Sequence, residues 1–248
     1  MRHLFSFLLM FCALTGAAHA ITSGADGQQL MDEALRRYAP PAHVYEEQAW
    51  IVTDRQGQPT VRTVRYFALS DAAGSRCIWT IETPTEARGA NVRVDHEVRG
   101  ATRHGAAASS AIFGSNFLVA DLEGERAGQF RYERDGDMVI DRVPHFVLKA
   151  IAGDAALAQL AGYHERRIYL RKDNLFISRI DFRDREGRQI RRQTFRDPAP
   201  DDAGVWRANM VLMEDLRSGE RSLLKIERRV HSADYVPMAM FAGSQEKP

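Results

Sequence analysis

Apolar and polar residues alternate with a period of two along most of this sequence, which is the pattern of β-strands that bury one face. Short turns rich in glycine, aspartate and asparagine separate the alternating segments. The pattern predicts about eleven strands, at 42–53, 59–68, 76–82, 91–98, 128–134, 137–142, 163–170, 175–182, 188–195, 205–214 and 221–230. Asp135-Gly136, between the fifth and sixth of these, is the strongest hairpin signal in the chain. Because the connections are short, neighbours are expected to pair antiparallel in a sheet that curls.

Two segments have helical character instead. Apolar residues recur at helical spacing over Asp26–Tyr38, and Pro40-Pro41 ends that pattern. A second helical segment is predicted over Pro144–Leu160, interrupted at Gly153. A long curled sheet with one apolar face must cover that face, and only these two helices are available to do so. The sequence therefore predicts one mainly β domain with a gap that a ligand could fill.

The first twenty residues are typical of a secretory signal peptide. Arg2 and His3 precede a short apolar run, and Ala18-His19-Ala20 has the small-x-small pattern found before a signal-peptidase site. The run is too short to cross a hydrocarbon core of ~30 Å as a helix. We therefore expect cleavage before Ile21, with residues 21–248 forming the mature domain. Cys12 lies within the apolar run and lacks small residues ahead of it, so it is not expected to carry a lipid.

Cleavage leaves one cysteine, Cys77, which alternates with Trp79 and Ile81 along a predicted strand. A single cysteine cannot form an internal disulfide, so in an oxidising compartment we expect it to be a buried thiol.

The net charge of the mature chain bears on the kind of partner it binds. Once Arg2 is removed, basic and acidic residues are equal in number, so bulk charge favours neither a nucleic-acid nor an anionic-membrane partner. Arginines near residue 190 lie among acidic neighbours, which is typical of a solvated, ion-paired face.

The segment AIFGSNFLVADLEG, residues 111–124, raises the question of a serine nucleophile. A hydrolase elbow needs small residues two positions either side of the serine, but Ser115 has Phe113 and Phe117 there. We favour a structural corner, in which Gly114 permits a sharp bend, and Ser115 or Asn116 caps a short helix over 117–122. Gly89 marks another such corner.

The chain carries no other recognisable catalytic or metal-binding motif. His96 and His104 lie near Asp95 and Glu97, but their spacing fits neither a helical pair nor a tight zinc turn. No dinucleotide or phosphate-binding glycine motif is present, and no pair of carboxylates is arranged as general acid and base. Neither a catalytic residue, a metal nor a cofactor is therefore expected.

Several segments, in the same order, resemble the LolA-like family of outer-membrane lipoprotein-sorting proteins. TPTEARGANV (83–92) is similar to the family's Pro-x-x-x-Arg-Gly corner, and AIFGSNFLVADL (111–122) is similar to its Gly-Ser-Asp-Phe…Asp-Leu segment. Asn116 stands where the family usually has aspartate. DREGRQIRRQTF (184–195) and the segment 205–230 resemble the closing strands with their Asp-x-x-Gly turn and Ser-Gly hairpin.

The resemblance implies an unclosed antiparallel β-barrel around an apolar cavity, with helices as a lid over the concave face. It also implies a periplasmic carrier of lipid or acylated protein cargo that neither spans a membrane nor catalyses a reaction. An inner-membrane transporter of the resistance-nodulation-division (RND) type is a possible partner by the same likeness. Large apolar residues at strand spacing are the candidates for lining the cavity, together with the two phenylalanines of the corner: Trp79, Ile81, Phe113, Phe117, Phe176, Ile180 and Phe182.

Two other hypotheses remain open. The protein could be a non-catalytic accessory or scaffold subunit of such an exporter, in which case a closed, well-packed interior is expected. It could also be a hydrolase that uses Ser115, in which case Ser115→Ala would abolish activity.

Overall fold

A computed structural model describes residues 26–72, 74–97, 103–125, 128, 130–152 and 163–241. These residues contain a helix α1 (Gly27–Arg37), a single-turn helix α2 (Val119–Leu122) and twelve strands. The strands are β1 (His43–Thr53), β2 (Pro59–Asp71), β3 (Gly74–Thr83), β4 (Asn91–Glu97), β5 (Arg103–Gly105), β6 (Phe130–Ile140), β7 (Val143–Ala152), β8 (Glu165–Arg171), β9 (Ile177–Arg183), β10 (Gln189–Pro200), β11 (Trp206–Asp215) and β12 (Arg221–Val230). Three short 3-10 turns lie at Thr85–Ala87, Ala233–Tyr235 and Met238–Phe241.

All twelve described strands belong to one antiparallel sheet. Their order is β5-β4-β3-β2-β1-β12-β11-β10-β9-β8-β7-β6, so β1 and β12 pair in the middle and the edge strands β5 and β6 stay apart. The fold is therefore mainly β, as the sequence pattern predicts, and its sheet is unclosed, as the family resemblance implies. Its concave side holds the main core, to which strands from across the sheet contribute Trp50, Trp79, Leu148, Ile168 and Met213.

The predicted hairpin at Asp135-Gly136 is wrong. The two residues lie inside β6, where the pairing register with β7 shifts between Arg134 and Asp137 and Gly136 has a φ of 108°. They form a bulge, which also favours a glycine with positive φ. The chain reverses instead at Asp141 and Arg142, whose φ angles of 49° and 66° are both positive, as a two-residue turn between twisted strands requires.

The predicted helix over Pro144–Leu160 is also wrong for the part that the structure describes. Residues Val143–Ala152 form β7, and residues 153–162 lie outside the described part. Phe146, Val147 and Leu148 are all buried, so this strand is covered on both faces and lacks the alternation that marks a strand. A continuous apolar run of this kind has no period that separates strand from helix.

Helix α1 confirms the first helical prediction almost to the residue. The carboxylate of Asp26 accepts the Gln29 N–H at 2.7 Å, and the Gln29 side chain accepts the Asp26 N–H at 3.3 Å, so the helix begins with a capping box. One face buries Leu30, Met31 and Ala34 against the concave side. Gly27 touches β6 so closely that a Cβ there would lie 2.5 Å from the carbonyl carbon of Glu133.

The link between β5 and β6 crosses the concave side. Residues 106–125, which we call the crossing segment, bury Ile112, Phe117 and Val119 in the main core. A crossing of this kind is needed because β5 and β6 lie at opposite edges of the sheet. On the convex side, the segment after β12 packs Val236 and Phe241 against β2 and β3 in a separate small cluster.

Candidate functional site

A cavity of about 720 Å³ lies between the concave face of the sheet, α1 and the crossing segment. Pro40 and Gly124 line it and are exposed, so the cavity opens to solvent. Much of its wall is apolar and aromatic. This part of the wall consists of Leu35, Tyr38, Tyr66, Trp79, Phe176, Ile177, Ile180, Phe182, Phe195, Val211, Leu224 and Ile226.

Four of the residues proposed from the sequence are brought together at this wall. Trp79 comes from β3, Phe176 directly precedes β9, and Ile180 and Phe182 lie within β9. Strand alternation places Ile180 and Phe182 on the same face, and the strong curl of the sheet turns β3 towards them.

The other three proposed residues are not among those that line the cavity. Ile81 is 3% exposed and lies within the main core. Phe113 and Phe117 pack edge-on against Trp50, with ring centroids 5.8 and 5.7 Å away. The sequence marks all of these residues as apolar and inward-facing, but it cannot separate a packed core from the wall of a cavity beside it.

The corner at residues 112–115 is a tight turn. Phe113 and Gly114 both have positive φ, 51° and 69°, and the Ser115 N–H donates to the Ile112 carbonyl at 2.9 Å. The hydroxyl oxygen of Ser115 accepts the Phe117 N–H at 3.2 Å, so this side chain serves the local backbone. Neither Ser115 nor Asn116 caps α2. That helix begins after Leu118, whose N–H donates to the carboxylate of Asp121.

Asn116 anchors the corner to two strands. Its N–H donates to the Ser222 hydroxyl on β12 at 2.8 Å, and that hydroxyl donates back to the Asn116 side-chain oxygen at 2.7 Å. The Asn116 carbonyl accepts from Arg191 on β10 at 2.9 Å. The predicted corner at Gly89 also has positive φ, 85°, and its N–H donates to the Ile81 carbonyl at 2.9 Å.

A buried ion pair joins the crossing segment to β10. Asp121 lines the cavity, its side chain is 3% exposed, and it accepts a hydrogen bond from Arg191, whose side chain is 9% exposed. Burial raises the pKa of Asp121 above its usual value, while the Arg191 charge and the Leu118 N–H oppose that shift. The guanidinium of Arg191 also lies 5.0 Å from the Phe182 ring centre.

A second buried pair joins the same segment to β8. Both guanidinium Nη atoms of Arg166 donate to Glu125, with the longer of the two bonds at 3.0 Å. The Tyr132 hydroxyl donates to the same carboxylate at 2.7 Å, and burial together with Glu125 raises the pKa of Tyr132, so it stays protonated. Arg166 also lies 3.8 Å from the Phe130 ring centre.

A chain of hydrogen-bonded polar side chains runs along the cavity side of β1. The Trp50 indole donates to Gln48 at 2.8 Å, the Gln48 amide donates to Glu46 at 2.6 Å, and Arg229 on β12 donates to Glu46 at 2.7 Å. These polar residues were not among the candidates proposed from the sequence, which were all large apolar residues. The available signal was the spacing of Glu46, Gln48 and Trp50, which places two polar residues on the same strand face as a tryptophan.

Each charged side chain that the structure describes on the cavity wall has a partner of opposite charge or, for Glu123, a histidine. The remaining pairs are His96 with Glu123 at 3.1 Å, Arg76 with Asp71 at 2.7 Å, and Arg207 with Asp201 at 3.3 Å. The wall therefore combines an apolar surface with internally neutralised charge. Among the described residues no group of three or more histidine, cysteine, aspartate or glutamate side chains is placed to hold a metal ion.

Cys77 lies on the wall of the cavity and is half-buried. Its alternation with Trp79 and Ile81 predicts that the three share one strand face, and they do lie on the concave face of β3. The thiol is less enclosed than expected because the cavity adjoins it.

No helix in the described part of the chain is long and apolar enough to cross a bilayer.

Comparison with known proteins identifies the class to which this fold belongs. A domain described as an outer membrane lipoprotein-sorting protein from Vibrio parahaemolyticus superposes with a TM-score of 0.70 at 19% identity, covering 82% of this chain and 91% of that one. A LolA superfamily protein from Nitrosomonas europaea gives 0.63 at 18% identity, with 83% and 93% covered. A DUF1329 family protein from Desulfovibrio piger gives 0.66 at 14% identity, with 85% and 97% covered. The chain has the LolA-like fold.

A family model described as "Uncharacterized protein" matches residues 98–243, which is more than half of the chain, and the protein belongs to that family. No curated protein sequence matches the chain significantly. The fold is thus shown by shared structure, and the function has to be argued from the cavity.

Proposed function

We propose that the protein is a non-catalytic periplasmic carrier that binds lipid or lipid-modified cargo, such as a lipoprotein, for sorting towards the outer membrane. The observation that carries the proposal is the cavity of about 720 Å³, which opens to solvent although its wall is largely aromatic and aliphatic. Such a surface favours an apolar ligand, since each methylene group moved out of water contributes ~0.8 kcal/mol before ordering costs.

Two further facts support a carrier. The fold is similar to that of a Vibrio domain described as a lipoprotein-sorting protein. Ser115, the one nucleophile suggested by the sequence, is 7% exposed and its hydroxyl oxygen accepts a hydrogen bond from the local backbone. An accessory subunit without cargo would have little use for an open apolar cavity of this size.

Binding of a soluble fluorescent fatty-acyl probe to the delipidated, secreted protein tests the proposal. Cys77 supplies a second readout because it lies on the cavity wall and is the single cysteine left once the predicted signal peptide is removed. A bound acyl chain should slow the reaction of Cys77 with a thiol reagent, whereas the same probe should not affect labelling of the unfolded chain. Saturable binding together with this protection is the expected result.

A matched pair of variants locates the binding site. Ile226→Glu places a carboxylate on the cavity wall at a half-buried position, whereas Lys225→Glu places the same group one residue away on the convex face. An unpaired charge facing an acyl chain costs several kcal/mol, so Ile226→Glu should abolish binding while Lys225→Glu binds normally. Circular dichroism should show that both variants remain folded. If the folded wild type binds no acyl probe, the carrier function is refuted and the accessory-subunit hypothesis gains support.

A further inference from the structure

A buried glutamine interrupts the apolar wall of the cavity. Gln193 on β10 is 2% exposed and lines the cavity on the same strand face as Phe195, and its partner on the neighbouring strand β9 is Ile180. Its amide Nε2 donates to the Asp121 carbonyl on the crossing segment at 3.1 Å. A carbonyl can only accept, so this bond fixes the orientation of the Gln193 amide and leaves its oxygen, Oε1, as the polar atom still to be satisfied.

The Oε1 atom of Gln193 accepts no hydrogen bond from any residue that the structure describes. Leaving a buried acceptor unpaired is unfavourable, because the oxygen loses its hydration and gains nothing in return. On the wall of a cavity that opens to solvent, such an oxygen bonds either to water or to a donor on the ligand. A ligand that displaces the water therefore binds best when it brings a donor of its own.

The charges near Gln193 favour a neutral donor over a cationic one. Asp121, whose backbone holds the Gln193 amide, has its carboxylate paired with Arg191, and both side chains are less than 10% exposed. An ammonium group brought to Gln193 would lose its hydration without meeting an unpaired anion. An amide N–H is neutral, and the bond to Oε1 replaces the one that it gives up to water.

The position of Gln193 suits the head of an acyl chain. Gly124, an exposed residue of the cavity wall, follows Asp121 by three positions, which places it within about 11 Å of the residue that Gln193 contacts. A group bound at Gln193 therefore has solvent within reach at Gly124 and the apolar side chains of Ile180 and Phe195 beside it.

We propose that Gln193 recognises the amide N–H of a long-chain N-acyl group, and so makes the cavity selective for amide-linked acyl chains over ester-linked ones. This inference rests on the proposed carrier function and specifies the linkage in its cargo. A protein whose terminal amino group is acylated carries this N–H directly beside the acyl carbonyl, whereas an ester has no hydrogen to donate there. The inference sets no limit on the number of chains, since cargo with one amide-linked chain can carry ester-linked chains as well.

Competition against the fluorescent fatty-acyl probe tests the inference on the delipidated protein. The competitors are three unlabelled dodecanoyl tripeptides that differ only at the acyl linkage: an amide with its N–H, the N-methylated amide and the ester. Because the last two leave a buried oxygen unpaired, the wild type should bind the N–H amide about 5- to 100-fold more tightly than either.

A further competitor distinguishes two sources of the same chemistry. Dodecanoyl ethanolamide carries the amide but no peptide. Displacement as strong as that by the N–H tripeptide would indicate that an amide-linked lipid is also cargo, whereas weaker displacement would indicate an acylated protein.

A matched pair of variants assigns the preference to Gln193. Gln193→Met removes the acceptor but keeps a side chain of similar length, so the preference for the N–H amide over the ester should disappear. Thr194→Met introduces the same side chain at the next residue, which faces the convex side, and should keep the preference. If Gln193 served only to hold the Asp121 carbonyl, Gln193→Met would change stability but not the ratio of the two affinities.

The outcomes separate this inference from the carrier function. Equal affinity of the wild type for the N–H amide and the ester would overturn the inference, and this comparison does not require any variant to fold. An unchanged ratio in folded Gln193→Met would overturn it too. In both cases, saturable binding of the acyl probe with protection of Cys77 would leave the carrier function standing. If the acyl probe itself does not bind, the inference and the carrier function are both wrong.

Discussion

Arg191→Met removes the cationic partner of a deeply buried carboxylate. Asp121 would keep the N–H of Leu118 at 2.7 Å but would lose the guanidinium, and the Asn116 carbonyl would lose its donor from β10. The methionine side chain is apolar and long enough to retain packing against Phe182, which the arginine now covers. The substitution therefore acts mainly on charge and hydrogen bonding, and it leaves little new space.

The expected cost is large because both side chains are nine-tenths buried or more. Removing one partner of a buried ion pair typically costs 3–5 kcal/mol, since the other charge stays desolvated. Asp121 retains one backbone hydrogen bond, so we expect the lower part of that range, about 3–4 kcal/mol. For a domain of this size each kcal/mol lowers Tm by about 2–4 °C, which predicts a fall of about 6–16 °C.

Urea and thermal unfolding followed by circular dichroism measure this cost, and two further variants separate its causes. In Asp121→Asn/Arg191→Met the carboxylate is gone but a side-chain oxygen still accepts from Leu118, so the double variant should be more stable than Arg191→Met alone. Arg188→Met breaks a surface ion pair at the β9–β10 turn, where the arginine side chain is 73% exposed, and should leave Tm unchanged.

The stability lost in Arg191→Met should depend on pH with a definite sign. Burial raises the pKa of Asp121, so the folded state binds a proton more tightly than the unfolded state does. Lowering the pH through the folded-state pKa therefore favours folding at this site, and losing Arg191 raises that pKa further. The deficit of Arg191→Met should be largest at neutral pH and should shrink as the pH is lowered. An Arg191→Met protein within 1 kcal/mol of wild type at neutral pH would refute the reasoning.

Three other results are expected. Gly114→Val should lower the free energy of unfolding by about 1–3 kcal/mol, because the φ of 69° at this position suits glycine and not a β-branched residue. Gly114→Asn should cost less. Equal stability of Gly114→Val and wild type would refute the strain argument. Native Cys77 should react with a small thiol reagent more slowly than in urea, and a disulfide-linked dimer on a non-reducing gel would contradict its place on an interior wall. N-terminal sequencing of the secreted protein should begin at Ile21, and retention of Met1 would show that the signal peptide was misidentified.

Local patterns account for the parts of the fold that were predicted well. Helix α1 carries its own signals in the Asp26 cap and the apolar spacing of Leu30, Met31 and Ala34, so neighbouring elements were not needed to locate it. Most strands were found because one face of each is buried against the core. Strand β7 was missed because both of its faces are buried, and its period of two disappears.

The cavity could be predicted only in part, for a topological reason. Its wall depends on how the crossing segment returns from β5 to β6, and no local pattern encodes that path. The ion pairs that fix the path join residues far apart in sequence, such as Asp121 with Arg191 and Glu125 with Arg166. Before those partners are known, each buried charge resembles an ordinary surface residue.

The pairing of β1 with β12 has a consequence for the order in which the protein can be made. Glu47 on β1 and Arg228 on β12 form an ion pair across 181 positions of sequence, in the middle of the sheet. During synthesis β1 can pair with β2 early, but its other edge stays open until the final strand has emerged. Contacts of such long range slow folding, and an open central edge invites pairing with other chains. If the chain is kept unfolded until after export, the pair of β1 with β12 forms only in the compartment to which the chain is delivered.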